Sequence, residues 1–517
     1  MEIRTRVIKG QYHDSVLLML AAKEIKKVEG VVDAAVLMGT EANKALLKQA
    51  GLLTEEAQSA SADDLVISVK KDKGVDAILS QIDDYLVNKS PTAAGSLKKE
   101  LQSIRSAVRS DLKLNFAEIS VAGAYAAREA RDALANGLHV LLFSDNVSIE
   151  DEISLKKYAV SQGLLLMGPG AGTAIINGVG LGFANALPPG PVGIVSAAGT
   201  GLQEVSSILA RFGVGISQAI GTGGRDLSMN VGGLMAIAGI KALIEDMNTK
   251  VIVLISKPAD DEVKEKILDV LKTGKKECVI CTLGAKFERP QDGNIHFTHT
   301  LEECAYKAAA IMGVDLPDFQ LFIKNEIKKQ QAQAQELRSK LGSGQKFIRG
   351  LYSGGTLCYE AQVIWKEMLK EPIFSNAPLD KKNYLKEKNS HQFHTALDLG
   401  EEEFTVGRPH PMIDNDLRAR YISMAASDPT TAVVVMDVMI GYGAHPDPGL
   451  ELGDAVKLAK KEADQHGRAL LVIACVTGTM DDSQGLAETI TKLEKAGVVV
   501  CETNAQSARL AGLVVTS

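Results

Sequence analysis

The chain has 517 residues, of which 45% are hydrophobic and 4% aromatic, and its formal net charge is −7. An acidic chain with few aromatic side chains lacks the basic patches and stacking platforms of nucleic-acid-binding proteins. The start lacks the apolar core of a signal peptide, and no apolar run approaches the ~20 residues that span a bilayer. We therefore expect a cytoplasmic protein of three or four domains that binds neither nucleic acid nor membrane.

The first segment alternates strands and helices. Strands are predicted in EIRTRVIK, VVDAAVLM and DLVISVK, with helices in SVLLMLAAKEIKKV and GTEANKALL between them. The polar stretch NKSPTAAGSLKKELQS that follows is rich in proline, glycine and serine, which is typical of a linker. Residues 1–110 are therefore predicted to form a small α/β domain plus a linker.

The second segment has the pattern of a parallel sheet. Strands predicted in LNFAEISV, HVLLFS and LLLMGPG alternate with helices of about 15 residues, and parallel βαβ units have this spacing. Its first turn does not contain GxGxxG, so NAD is not predicted. Residues 111–189 are expected to form a Rossmann-like domain.

The rest of the chain contains an internal repeat. Residues 190–340 and 341–517 each run from an apolar strand through a small-residue turn to a helix, a glycine-rich or acidic loop, a second helix and a second apolar strand. A charged, glutamine-rich helix in KNEIKKQQAQAQELRSKLGSGQ ends the first repeat and connects the two. The predicted fold class is α/β, with the two repeats as flavodoxin-like domains.

The turn of each repeat is a candidate anion site. Where a strand meets a helix, the free N–H groups of the helix point outward with the positive end of its dipole, and phosphate or a carboxylate is the natural ligand. The alternative is that the serines only cap helices and glycine only permits the turn. Two facing helix ends could share one anion, which favours a phosphate site. Its predicted residues are Ser196, Gly199, Thr200, Gly201, Ser353, Gly354, Gly355 and Thr356.

Three further loops carry candidate groups. In DLGEEEFTVGRPHPMIDND, Arg408 offers a planar fork to an anion and His410 titrates near neutrality. In GYGAHPDP, His445 is a candidate general base or phosphate-facing donor. The alternatives are an acidic loop with an internal ion pair and a histidine held between prolines. A substrate-binding loop is predicted at Gly223, Gly224, Arg225 and Asp226, where the arginine would neutralise an anion and the aspartate would orient it.

The cysteines give no metal site. The six cysteines are scattered, and the one CxxC, Cys278 to Cys281, lies in an apolar run predicted to be a strand. A zinc site needs a second pair of cysteines or histidines at ligand spacing, which this run lacks.

The motifs of the chain resemble those of a known superfamily. MGPGAGTAIINGVG followed by PPGPVGIVSAAGTGLQEV resembles the junction of the CoA-binding and ligase domains in the succinyl-CoA synthetase α subunit, a member of the NDP-forming acyl-CoA synthetases. The last repeat resembles the carboxy-terminal ligase domain of the β subunit. LDLGEEEFTVGRPHPMID and MDVMIGYGAHPDP are similar to motifs of the FdrA group, so the resemblance covers essentially the whole chain. It implies that residues 111–189 are a CoA-binding-type domain and that the two turns face one another.

The chain departs from the superfamily pattern in three places. The GHAGA loop that carries the phosphohistidine of the synthetases is replaced by CTLGAKFERPQDGNIHFTHTLEE, where His296 and His299 are the only histidines. No segment resembles the nucleotide-binding ATP-grasp domain. The GPNCPG turn near CoA is replaced by GPGAGT, whose Gly168, Gly170 and Thr173 would form an open CoA-type turn.

The resemblance implies a function. The FdrA group is linked to allantoin and purine catabolism, as one component of a multi-protein carbamoyltransferase that interconverts oxalurate and phosphate with oxamate and carbamoyl phosphate. The expected ligands are a small anionic substrate and a phosphate or acyl phosphate, with CoA left open and no metal, and the expected partners are other subunits or a second copy. One alternative is an acyl-CoA synthetase subunit that acts with an ATP-grasp partner. The other is a non-catalytic subunit that senses an acyl phosphate or CoA ester.

Overall fold

The computed structural model describes residues 2–11, 13, 15–72, 74–80, 103–110, 113–387, 393–405 and 408–516. The chain divides into two compact units, residues 1–100 with 403–409, and residues 101–402 with 410–517. The predicted linker, residues 88–103, lies outside the described residues except for Ser103.

The first unit contains a three-stranded antiparallel sheet in the order β1-β3-β2. Its helices pack on the sheet around a core that includes Leu18, Ile25, Val36, Ile67 and Ile78. This arrangement confirms the predicted small α/β domain. The elements are β1 (Glu2–Ile8), α1 (Ser15–Lys26), β2 (Val31–Met38), α2 (Glu41–Gln49), α3 (Glu55–Ser59), β3 (Leu65–Lys71) and α4 (Val75–Ser80).

The second unit begins with a short helix and a small parallel sheet in the order β4-β5-β6, with one helix after each of its first two strands. This βαβαβ order is the Rossmann-like arrangement that the alternating pattern predicts. The elements are α5 (Ile104–Val108), β4 (Phe116–Ile119), α6 (Gly123–Ala135), β5 (His139–Leu142), α7 (Ile149–Ser161) and β6 (Leu166–Met167).

The first repeat forms an eight-stranded sheet in the order β13-β14-β12-β11-β9-β10-β7-β8. Its five central strands are parallel and its edges are antiparallel hairpins. The strands are β7 (Thr173–Ile176), β8 (Val179–Gly182), β9 (Pro189–Ser196), β10 (Ile216–Gly221), β11 (Val251–Ser256), β12 (Glu277–Thr282), β13 (Gln291–Asp292) and β14 (Ile295–Thr298). The helices are α8 (Gly199–Arg211), α9 (Leu234–Glu245), α10 (Asp261–Thr273), α11 (Leu301–Ile311) and the predicted connector α12 (Phe319–Arg338).

The second repeat forms a six-stranded, wholly parallel sheet in the order β16-β17-β15-β18-β19-β20. One hydrophobic core runs through both repeats, so they pack as one body. The strands are β15 (Phe347–Tyr352), β16 (Ile373–Ser375), β17 (His394–Asp398), β18 (Thr431–Met439), β19 (Leu471–Thr477) and β20 (Val499–Cys501). The helices are α13 (Gly355–Met368), α14 (Glu402–Thr405), α15 (Asp416–Ser427), α16 (Pro448–Gln465), α17 (Leu486–Lys495) and α18 (Asn504–Thr516), with a 3₁₀ turn at Lys381–Asn383.

These sheets confirm the predicted α/β fold class. Parallel strands buried on both faces read as continuous apolar runs, as in VIVLIS and TAVVVMDVM, and all residues of β11 and β18 are buried. Parallel sheets place ligand loops at the carboxyl ends of their strands. The turns after β9 and β15 lie at those ends.

Candidate functional site

The two predicted turns face one another. The turn after β9 leads into α8, and the turn after β15 leads into α13. A Cβ added to Gly354 would lie 2.7 Å from Cγ2 of Thr200, and one added to Gly201 would lie 2.9 Å from Cγ2 of Thr356. The contact is reciprocal, since each repeat supplies one glycine and one threonine. The expectation that the turns face one another is therefore confirmed.

The serines of both turns are used inside the protein. The hydroxyl of Ser196 accepts the N–H of Ala198 at 3.0 Å and donates to the carbonyl of the same residue at 2.8 Å. In the second turn, the carboxylate of Asp437 accepts from the N–H of Ser353 at 2.8 Å, from its hydroxyl at 3.0 Å and from the N–H of Gly354 at 2.9 Å. The prediction that Ser196, Ser353 and Gly354 hold phosphate is corrected by these contacts, because they build the turns.

The helix ends themselves keep open donors. Neither α8 nor α13 has a side-chain N-cap hydrogen bond. The first intrahelical bonds from these ends are Leu202 N–H to Ala198 O and Cys358 N–H to Gly354 O. Within the described residues, the preceding N–H groups have no acceptor: Gly199, Thr200 and Gly201 in α8, and Gly355, Thr356 and Leu357 in α13. Their binding of phosphate remains a prediction.

Two acidic side chains have raised pKa values, Asp398 beside the second facing turn and Asp145 beside the GPGAGT turn. Burial raises the pKa of Asp398 to about 7, with help from the charge of Glu401. Asp145 is exposed, but partial desolvation by its neighbours raises its pKa to about 6, and the charges of Glu402 and Glu401 add to the shift. Raised carboxyl pKa values of this size cluster at functional sites and suit a general acid near neutral pH. The site therefore contains two candidate proton donors.

His410 lies beside Asp398 and is held in one tautomer. Its Nδ1 accepts the backbone N–H of Met412 at 3.2 Å, so the proton of the neutral ring is on Nε2. A Cβ added to Gly400 would lie 2.7 Å from this Nε2 and 3.3 Å from Oδ1 of Asp398. Burial lowers the pKa of His410 to about 4, and the nearby charge of Arg418 adds to this. At neutral pH the ring is therefore a hydrogen-bond donor, and the predicted proton transfer through a titrating imidazole is corrected.

The predicted substrate-binding loop, residues 223–226, also contributes to the site, but Asp226 in this loop has a structural role. Asp226 is fully buried, pairs with Lys156 at 2.8 Å and accepts the N–H groups of Met235 and Ala236 at the start of α9. The predicted ligand-orienting role of Asp226 is corrected for this reason. Arg225 pairs with Glu152 at 2.8 Å and remains 47% exposed. An exposed arginine can still meet a ligand.

The structure gives the other two catalytic candidates, His445 and Arg408, different surroundings. His445 pairs with Glu451 at 2.8 Å through Nε2, and its Nδ1 accepts the N–H of Asp447, so it holds the start of α16. This arrangement matches the alternative of a turn histidine, and the role of His445 as a general base remains a prediction. Arg408 is exposed and belongs to the first compact unit. Its role in catalysis remains a prediction.

The GPGAGT turn lies next to the N-terminal end of α8. An added Cβ on Gly168 would lie 2.2 Å from the carbonyl oxygen of Leu142, and one on Gly170 would lie 2.5 Å from Oδ1 of Asp145. Both glycines have positive φ angles, of 108° and 65°, so the turn itself requires them. An added Cβ on Gly223 would lie 2.5 Å from the carbonyl oxygen of Pro169, whereas Gly224 faces open space. Thr173 is buried, with its hydroxyl 3.8 Å from an added Cβ on Gly199.

Two histidines and two cysteines discussed in the sequence analysis have partners within the fold or are buried in it. His296 pairs with Glu277 on the neighbouring strand at 2.8 Å, and His299 packs against the ring of Phe287. Cys278 and Cys281 are buried in β12, as the sequence predicted. Within the described residues, no group of three acidic, histidine or cysteine side chains could hold a metal ion.

Three family models match the chain. They are "AllF, heavy metal-associated domain" over residues 1–103, "CoA binding domain" over residues 189–284 and "CoA-ligase" over residues 351–514. A relative from Escherichia coli (strain K12), "Uncharacterized protein YahF", is 41% identical over 513 residues, which are 99% of this chain and 98% of that protein. The chain belongs to the FdrA group of the NDP-forming acyl-CoA synthetase superfamily.

Two more distant proteins are also similar to this chain. "Succinate--CoA ligase [ADP-forming] subunit alpha 2" of Archaeoglobus fulgidus is 27% identical over 172 residues, 32% of this chain and 58% of that protein. A "dinucleotide forming Acetyl-coenzyme A synthetase 1" from Ca. Korarchaeum cryptofilum matches at 15% identity and a TM-score of 0.31, covering 82% of this chain and 87% of that one. The CoA-ligase match covers residues 351–514, so this FdrA-type chain contains a CoA-ligase domain.

The name of the first family model raises the question of a metal. Heavy-metal sites use soft thiolate ligands, yet residues 1–103 contain no cysteine. The residues of this FdrA-type chain therefore do not fit such a site.

No described helix is both long and apolar enough to cross a membrane.

Sequence reasoning missed several side chains of the site. Lys257 directly follows β11, Asp145 follows β5 by three residues, and Asp398 is the last residue of β17. All three stand where parallel strands end, which is the signal that could have identified them. Asp398 begins the stretch DLGEEEFTVGRPHPMIDND but was not selected from it, and Lys257 and Asp145 lie outside the candidate motifs.

Proposed function

We propose that this chain is the subunit of a multi-protein carbamoyltransferase that binds phosphate and the carbamoylated substrate. The reaction would interconvert oxalurate and phosphate with oxamate and carbamoyl phosphate. The observation that supports this proposal is the reciprocal approach of the two helix ends, Thr200 against Gly354 and Gly201 against Thr356. Helix ends with open N–H groups bind phosphate without a nucleotide or a metal.

The chemistry needs a site of this kind. An oxygen of phosphate attacks the carbamoyl carbon of oxalurate, a C–O bond forms, the C–N bond to oxamate breaks, and the oxamate nitrogen takes up one proton. Holding phosphate and oxalurate together lowers the entropic cost of their meeting. N–H donors at the helix ends would stabilise the charge that develops on the carbamoyl oxygen.

The acidic side chains of the site would supply the proton. Asp145 and Asp398 have pKa values of about 6 and about 7, so each is partly protonated near neutral pH. A group with such a pKa can give a proton to the departing nitrogen and take it back in the reverse direction. His410, with its N–H on Nε2, would add a neutral donor, which suits an oxyanion without adding a competing charge.

A free phosphate fits this site better than a phosphohistidine. Among the described histidines near the turns, His410 has a proton on Nε2 and its Nδ1 occupied by Met412. Neither nitrogen of that tautomer offers a lone pair to a phosphoryl group. His296, in the segment that replaces the GHAGA loop, is held against Glu277. This argues for direct reaction of phosphate with the substrate.

A second function is an acyl-CoA ligase subunit that acts with an ATP-grasp partner. It is favoured by the "CoA binding domain" and "CoA-ligase" matches and by the open backbone at Gly224 beside the GPGAGT turn. A pantetheine or phosphate of CoA would meet backbone groups there and not a side-chain amide or thiol, since the turn has neither. This function predicts CoA binding and an acid-labile phosphate that forms from ATP with the partner.

The test is purification of the chain with its co-encoded neighbours and an assay with oxalurate and phosphate. We expect carbamoyl phosphate and oxamate to appear in equal amounts, and neither to form when the chain is left out. Sulfate in place of phosphate serves as the matched control. A complete complex that forms no carbamoyl phosphate, but consumes ATP in a CoA-dependent reaction, would replace this proposal with the ligase function. Normal turnover without the chain would indicate a sensing subunit.

A further inference from the structure

An unpaired cation lies beside the facing turns. Lys257 directly follows β11 in the first repeat, and its side chain reaches the second repeat, where Nζ lies 5.4 Å from the ring centre of Tyr359. Its charge acts on Asp398 and on Cys358. Lys257 is only partly exposed, and within the described residues its ammonium forms no ion pair and donates no hydrogen bond. Partly buried ammonium groups are normally paired, so this one has room for an anionic ligand.

The nearest carboxyl group is also incompletely bonded. Asp398 is 3% exposed, and its Oδ1 accepts the N–H of Gly400 at 3.0 Å. Its Oδ2 lies 2.3 Å from the position of an added Cβ on Gly355, at the first residue of α13. Within the described part of the chain, this second oxygen accepts no hydrogen bond. It therefore lies at the helix end with its bonding capacity unused.

Charged and titratable groups surround this carboxyl from every packed element. Glu401 from the same loop and Asp437 from β18 repel its charge, whereas Lys257 from the loop after β11 attracts it. The thiol of Cys358 on α13 and the neutral ring of His410 complete the surroundings. Burial and the two negative neighbours outweigh Lys257 and the hydrogen bond from the Gly400 N–H, which is why the pKa of Asp398 rises to about 7.

We propose that Lys257 and Asp398 together select an oxyanion that can share a proton, such as inorganic phosphate or a phosphoryl group, and reject one that cannot. Lys257 supplies the positive charge, and the carboxyl of Asp398 forms the discriminating hydrogen bond. When Asp398 is protonated it donates to the anion, and when it is ionised it accepts the O–H of hydrogen phosphate. This inference rests on the proposed function, because it places the ligand at the same helix ends.

Sulfate provides the contrast. Hydrogen phosphate keeps one proton above neutral pH, whereas sulfate has none. Opposite an ionised Asp398, sulfate would place oxygen lone pairs against oxygen lone pairs, with no hydrogen to share. A buried acceptor facing another acceptor without a hydrogen is strongly unfavourable. The selectivity for phosphate over sulfate should therefore increase as the pH rises through the pKa of Asp398.

The experiment measures binding of phosphate and of sulfate to the full-length chain by calorimetry, from about pH 6 to about pH 8.5 at constant ionic strength. We expect phosphate to gain at least about tenfold in relative affinity over sulfate across this range, which corresponds to roughly one hydrogen bond to a charged group. In Asp398→Asn, the ratio of the two affinities should change with pH only through the second ionisation of phosphate itself, and therefore less than in the wild type. Lys257→Met should weaken both anions by about tenfold or more, whereas Lys264→Met, an exposed lysine on α10, should have no effect.

A wild-type ratio that does not change with pH, or an unchanged pH dependence in Asp398→Asn, would overturn the proposal. Binding of neither anion would also overturn it. The measurement needs no partner subunit, so it is separate from the proposed function. Anion selectivity without carbamoyl phosphate formation by the complex would retain this inference and reject the carbamoyltransferase.

Discussion

Glu204 and Glu360 occupy equivalent places in the two repeats, and each one caps a helix of the other repeat. Each lies five residues after the first glycine of its helix, α8 or α13. Glu204 accepts the N–H of Asn504 at 2.9 Å, at the start of α18, and Glu360 accepts the N–H of Leu301 at 2.7 Å, at the start of α11. These two hydrogen bonds join the repeats to each other in the turns of α8 and α13 that follow the facing helix ends.

We expect Glu360→Ala to destabilise the interface between the two repeats. The change removes the acceptor of the Leu301 N–H and of the side-chain amide of Asn504, and unsatisfied buried donors cost roughly 1–3 kcal/mol each. The free energy of unfolding, measured by urea denaturation, should fall by about 2–4 kcal/mol. Glu367→Ala, at an exposed position of the same helix, should change it by less than about 0.5 kcal/mol. Equal effects of the two substitutions would show that the cap does not stabilise the interface.

Close approach of the turns predicts that Gly354 cannot carry a side chain. In Gly354→Ala, the new methyl group would lie within 2.8 Å of three atoms of Thr200 and would push the two helix ends apart. We expect a loss of roughly 1–3 kcal/mol in stability, together with at least about tenfold weaker phosphate binding in a calorimetric titration. Gly344→Ala is the matched control, because nothing lies within 4 Å of its added Cβ. Unchanged phosphate binding in Gly354→Ala would separate the anion site from this contact.

Because the pKa of Asp398 is raised, replacing this residue should change the stability of the protein by an amount that depends on pH. Between its ordinary pKa of 3.8 and its folded pKa of about 7, the folded chain binds more protons than the unfolded chain. The stability contribution of this group therefore falls as the pH rises through that window. Asp398→Asn, which keeps an acceptor for the N–H of Gly400, should become more stable relative to the wild type between about pH 4 and pH 7. Melting temperatures measured across this range test the prediction, and a constant difference would contradict it.

His410 should remain neutral with its proton on Nε2. Its pKa is lowered to about 4, so the ring should not titrate near its ordinary value of 6.5. Nitrogen NMR of the labelled imidazole should show a protonated Nε2 and an unprotonated Nδ1 from about pH 5.5 to pH 8. A chemical-shift change centred near pH 6.5 would contradict the assignment.

His410→Phe keeps an aromatic ring that can pack against Phe183 but removes the N–H donor, and it should lower turnover of the complex by about 100-fold.

The fold could be predicted from the sequence because buried parallel strands are apolar along their whole length. The runs VIVLIS and TAVVVMDVM became β11 and β18, and the repeated order of elements identified the two halves. The hairpin of β7 and β8 was not predicted. It lies in the segment assigned to the Rossmann-like domain, yet β7 pairs with β10 and extends the next sheet. Short strands between glycines carry too little periodicity to show which sheet they join.

The site was less predictable, since its side chains are brought together from distant parts of the chain. The glycine turns were identified because a local motif describes them. The hydrogen bonds of Ser353 to Asp437 could not be predicted, because Asp437 is 84 residues away in an apolar strand. Asp226 was misassigned for a similar reason, since its partner Lys156 lies outside the loop that contains it. Sequence motifs show which groups are available, whereas tertiary contacts decide which remain free.

The central claim is that the facing ends of α8 and α13 hold a phosphate. A crystal of the full-length chain soaked with arsenate, a phosphate analogue with a strong anomalous signal, tests this most directly. We predict an anomalous peak at these helix ends, within hydrogen-bond distance of the N–H groups of Thr200 or Gly355 and close to Lys257. An arsenate bound elsewhere with this position empty, or no bound arsenate at concentrations that saturate the calorimetric titration, would contradict the claim.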